Sequence, residues 1–173
     1  MRRGIHTIRS GFRSSLHNPT VPRQHLLDNG NYKLNMKLIS AEFWPTSNSN
    51  VAGVEDKLWA DTVFFVVGTT SQGATPLTTN AQNEEWSDYG LRPSDSRQIA
   101  WGVFAGGDFP PGIFLDPEHI LTENIYVNAY QLTASGNITV LTGDIGYMLK
   151  FVQVDNSAAE GLLFAARDDA LQE

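Results

Sequence analysis

The sequence contains no cysteine. That excludes a disulfide framework, a thiolate nucleophile and any cysteine-based zinc site. Histidine is almost as scarce. There are four, and three of them (His6, His17 and His25) fall before residue 26. A Ser-His-Asp triad in the rest of the chain would have to use His119, and no G-x-S-x-G elbow supplies its serine. No HExxH pair, phosphate-binding GxxxxGK[ST] loop or EF-hand loop occurs. No run of 18 apolar residues exists, so no membrane-spanning helix is expected. The start is basic but lacks the apolar stretch of a secretory signal, so none is expected. Lysine is missing from the first 31 residues.

What is present is an uneven charge. The 173 residues carry a formal net charge of −7. Residues 1–31 hold Arg2, Arg3, Arg9, Arg13 and Arg23 against Asp28 alone, a net of +4, so residues 32–173 carry −11. This asymmetry predicts two parts: a basic N-terminal arm, 1–31, and a single body, 32–173. Pro19 and Pro22 favour extended backbone in the arm. Ile5, Ile8, Phe12 and Leu16 cut across that reading. Their spacing of 3, 4 and 4 is a helical stripe, which Gly11 and the serine pair weaken in isolation but a partner could induce.

The body reads as strands. Tyr32, Leu34, Met36 and Leu38 alternate at period two, and Ile39, Ala41 and Phe43 continue with the opposite parity, which predicts a bulge near Leu38–Ile39. Val63 to Val67 is apolar on both faces, as in a central strand. Ile99, Trp101 and Val103 would share one face of another strand. Ile125, Val127 and Ala129 alternate with Tyr126, Asn128 and Tyr130, and Ile145, Tyr147, Leu149 and Phe151 line one face of a last long run. Residues 69–97 and 105–118 read as long connections. Ser157-x-x-Glu160 is a capping-box pattern, so a short C-terminal helix is expected over about 157–170. Strands dominate and no βαβ alternation occurs. The expected class is all-β, an antiparallel β-sandwich of jelly-roll type.

Candidate chemistry is thin. Asp116, Glu118 and His119 in "LDPEH" could suggest a metal, but this spacing around a proline fits a turn with a capping carboxylate better. Among the acids no pair stands out for glycoside hydrolysis. Trp59 and Trp101 lie in apolar runs and read as core. Trp86 and Tyr89, in the long polar stretch, are the candidate exposed binding aromatics. Asn137-Ile138-Thr139 matches a glycosylation sequon by chance. No catalytic constellation converges, so a non-catalytic protein without cofactor or metal is expected.

The arm is therefore the informative feature. Arg2, Arg3, Arg9, Arg13 and Arg23 offer planar forks for phosphate or carboxylate. Three partners follow: nucleic acid, the acidic body of a neighbouring copy, or an anionic membrane surface. Four large apolar residues exceed what phosphate neutralisation needs, so Ile5, Ile8, Phe12 and Leu16 are expected to dock the arm on protein first.

The Arg-rich arm, the turn through "NPTVP" and the aromatic-rich all-β body resemble the coat proteins of small viruses. "FLDPEHILTENIYVNAY", "GYMLKFVQV" and "AAEGLLFAARDD" are also similar to uncharacterised structural proteins encoded by environmental viruses and phages. The resemblance implies a jelly-roll coat or minor capsid subunit. It would self-assemble in the host cytoplasm into a virion, alone or with other virion proteins, with its arm on neighbours or the genome. The alternative is a non-catalytic binding module, either a carbohydrate-binding sandwich or a particle-decoration protein.

Overall fold

A computed structural model of the chain describes residues 5–16, 18, 21–27, 34–46, 62–69, 98–104, 112–116, 119–121, 124–132 and 138–155. Nine strands run through them: β1 (Ile5–Phe12), β2 (Arg23–Leu26), β3 (Leu34–Pro45), β4 (Thr62–Gly68), β5 (Gln98–Phe104), β6 (Gly112–Leu115), β7 (Asn124–Leu132), β8 (Ile138–Thr139) and β9 (Ile145–Asp155). No helix occurs among the described residues. The expected C-terminal helix, Trp86, Tyr89, Arg2 and Arg3 lie outside them.

The strands form two antiparallel sheets. The smaller has the order β1-β9-β3; the larger runs β2-β7-β4-β5-β6, with β8 also paired to β7. Their inner faces share one core. β9 contributes Ile145, Tyr147, Leu149 and Phe151, all at most 2% exposed. Facing them, β4 and β7 contribute Val63, Phe65, Val67, Ile125, Val127 and Ala129. The two layers meet where Phe43 of β3 stacks on Phe65 of β4, ring centroids 4.4 Å apart. Period-two alternation thus places one side of each long strand in a shared interior, a sandwich-like arrangement.

The parity switch in β3 is a real irregularity. Its register with β9 shifts between Leu38 and Ser40, which keeps Leu38, Ala41 and Phe43 all buried and turns Ile39 out to solvent. β4 is central, flanked by β5 and β7.

Two expectations are corrected. The Ile5–Leu16 stripe does not form a helix. Ile5 to Phe12 is a strand paired residue by residue with β9, from Ile5↔Val152 to Phe12↔Ile145. With β2 paired to β7, the segment expected as a separate arm supplies an edge to each sheet. The second correction is Trp101. The register of β4 with β5 shifts between Val67 and Gly68, so Ile99 and Ala100 both join the core while Trp101 and Val103 turn to the outer face.

Candidate interaction surface

The N-terminal segment crosses from one sheet to the other between β1 and β2, and the corner is tied at several points. Asp144, just before β9, accepts from Ser14 N at 2.8 Å and Ser14 Oγ at 3.0 Å. A turn follows, with Leu16 N donating to Arg13 O and Val21 N to Asn18 O, each at 3.0 Å. Arg23 on β2 then reaches back to β1. It donates to Ser10 Oγ at 2.6 Å and its guanidinium sits 5.7 Å above the centre of the Phe12 ring.

Beneath this lies a chain of polar groups joining the sheets. Tyr147 of β9 is fully buried, and its hydroxyl is 2.6 Å from Nε2 of His25 on β2. That bond ties the two sheets, and which group donates in it depends on the tautomer of His25. Burial, helped by the neighbouring Arg23 charge, lowers the His25 pKa from its ordinary value. Burial likewise raises that of the Tyr147 phenol, so it keeps its proton.

The outside of this corner is both basic and apolar. An open pocket of about 580 Å³ is lined by Phe12, Arg13, Leu16, Val21, Pro22 and Arg23. Arg9, Arg13 and Arg23 are exposed. Eight large apolar residues are exposed among the described ones, and four of them belong to this one segment: Ile5, Leu16, Val21 and Leu26. Of the expected docking residues, Ile5 and Leu16 are therefore free for a partner. Phe12 is buried in the protein's own core, while Ile8 packs against that core and stays partly exposed.

Charge is distributed by element. The outer face of the smaller sheet carries Arg9, Lys37 and Lys150 against Glu42. Lys150 Nζ donates to Glu42 Oε1 at 2.7 Å, and this bond, with a second from Ser40, holds the Glu42 carboxyl below the usual range. Of the chain's 12 basic and 19 acidic residues, five and four lie among the described residues, a net of +1. The other seven and 15 give −8, so the acidity sits in the segments between and after these strands.

On the outer face of the larger sheet, Trp101 stacks on Phe114 of β6 with centroids 6.1 Å apart, and Phe114 is 63% exposed. This aromatic pair was not legible beforehand, because the parity shift in β5 has no signal in the residue types. Asp116 and His119 of "LDPEH" lie 3.9 Å apart with His119 buried. No group of three or more metal-ligating side chains occurs among the described residues. No helix of the described residues is long and apolar enough to cross a membrane.

No protein-family model matches the chain. No curated protein and no solved structure matches it either.

Proposed function

We propose that this is a virion structural protein, a coat or minor capsid subunit, that self-assembles through its β body and its N-terminal segment. One observation carries the reading. Half of the large apolar side chains exposed among the described residues fall within residues 5–26, interleaved with Arg9, Arg13 and Arg23. A closed sandwich has no internal use for such a strip. Apolar area rimmed by arginine is what a buried protein contact uses. The contact partner is then another copy or another virion protein, with nucleic acid second and an internal membrane surface third.

We also read the sandwich as a jelly roll. With the two-residue β8 set aside, eight strands remain. They nest: β1 pairs with β9, β2 with β7, β4 with β5, and β3 lies against β6. A long hairpin rolled on itself leaves this nesting, and jelly rolls are built of eight strands in two sheets. A helix over about 157–170 would complete the body. The surplus of acid between the strands suits segments turned away from a packaged polyanion.

The test is mass photometry and sedimentation of the purified protein across salt and concentration. Closed particles or defined oligomers are expected, dissociating when residues 5–26 lose Leu16 and Val21 to serine. A strict monomer under every condition would overturn the reading. The Trp101–Phe114 pair, half-buried at Trp101 and exposed at Phe114, favours one second reading, a non-catalytic binding module with this face as its platform.

A further inference from the structure

The geometry points to a specific self-contact: β1 pairs antiparallel with β1 of a second copy across a two-fold axis, joining two smaller sheets into one of six strands. This deepens the assembling reading and rests on it.

The smaller sheet has two edges. The β3 edge is interrupted by its bulge, ends in Pro45 and lies against β6. Those are the devices by which sheet edges resist pairing. The β1 edge has none of them. It is eight residues long, its register with β9 is unbroken, and it contains no proline. Ile5, His6, Thr7 and Arg9 are exposed, and these residues project from both faces of the strand, so among the described residues no strand pairs with that edge.

The register follows from elementary rules. Residues opposite each other in an antiparallel pair share a face. On β1 the inner face is His6, Ile8, Ser10 and Phe12; the outer is Ile5, Thr7, Arg9 and Gly11. A two-fold pairing must therefore be centred on a residue. Centring on Arg9 sets two arginines against each other. Centring on Thr7 or Ser10 keeps only five opposed positions. Centring on Ile8 keeps seven, Ile5 to Gly11, with no like charges opposed. Ile8 then meets Ile8 of the second copy on the inner side. Arg9 faces Thr7. Exposed Ile5 falls opposite Gly11, a position without a side chain to meet it. A strand that fits itself in one register without a clash specifies a second copy as its occupant.

The absence of cysteine makes the test clean. In the full-length protein, Ile8→Cys is oxidised with copper phenanthroline, and Ile5→Cys serves as the control, since two Ile5 positions would lie roughly 20 Å apart, six residues of strand. A covalent dimer is expected for Ile8→Cys and none for Ile5→Cys. Charge exchange gives a second readout, taken on variants whose urea midpoints are measured alongside, because Thr7 also pairs with Lys150 inside the chain. Thr7→Arg, which opposes Arg9 twice per dimer, should weaken dimerisation roughly two- to thirty-fold, and Thr7→Arg with Arg9→Glu should restore it. Particles that form without the Ile8→Cys cross-link, or an Ile5→Cys dimer of equal yield, would overturn this contact while leaving assembly standing. A protein monomeric in every condition would overturn both.

Discussion

Replacing Tyr147 by Phe removes one oxygen atom from the polar chain that ties the sheets, and its effect can be worked from the geometry. The ring stays. It keeps its contacts with Phe12 at 5.3 Å and Phe43 at 5.7 Å between centroids, so little packing is lost. What goes is the bond to His25 Nε2. A hydrogen bond contributes about 0.5–1.5 kcal/mol net, and a stranded buried partner adds to that. His25 is only half-buried, so water recovers part of its loss. The expected destabilisation is about 1–2 kcal/mol. With a urea m-value of about 2 kcal/mol/M, the midpoint should fall by about 0.5–1 M at unchanged slope, and Tm by roughly 2–8 °C. The pH dependence sharpens the test. His25 has its folded-state pKa below the ordinary 6.5. Its neutral form therefore contributes stability that is fully present above about pH 6.5 and is lost as pH falls through the folded-state pKa. With the phenol as donor, protonated His25 loses the lone pair that accepts it. The gap between wild type and Tyr147→Phe should accordingly be widest near pH 7.5 and shrink on acidification, with His25→Ala removing the pH-dependent part. Urea titrations at pH 4.5, 6 and 7.5 measure it. A midpoint shift below about 0.1 M at pH 7.5 would refute a stabilising Tyr147–His25 bond, and an equal shift at all three values would refute the phenol as its donor.

Two further outcomes follow from the same corner. Gly11→Ala places a Cβ 2.6 Å from the Ile145 carbonyl oxygen, which is backbone and cannot swing away, so a loss of about 1–3 kcal/mol is expected in chemical denaturation. Asp144→Ala frees Ser14 from its two bonds, and hydrogen exchange of residues 13–16 should accelerate while that of β9 residues 147–151 stays protected.

The long strands were legible because their chemistry alternates without ambiguity. The four inward residues of β9 and the doubly apolar run of β4 have no other reading. The β3 bulge was legible for the same reason: a parity change inside an apolar run leaves a mark. β1 was misread, and the cause is arithmetic. Ile8, Phe12 and Leu16 are four apart, and a spacing of four fits a period of 3.6 and a period of two alike. Only Ile5 tells them apart, and at odd parity it is exposed, off the buried face. In β5 the shift opposite Gly68 exchanges the faces after Ile99, and the residues there, Ala100 and Gly102, are too small to signal which way they point. The charges were countable in advance, but not that Arg9 on β1, Arg23 on β2 and Arg13 between them sit on the two-sheet body itself.

The order of the smaller sheet sets a timetable for making it. Its middle strand is β9, and both its neighbours, β1 and β3, precede it in the chain. Neither can take its place in this sheet until residues 145–155 have been synthesised, roughly five to twenty seconds after β3 at ordinary translation rates. Until then the Ile5–Phe12 segment is not a strand and offers no straight edge to another copy. An unfinished chain would be unable to enter an assembly through β1, and the last of the described strands to be made would be the one that licenses it.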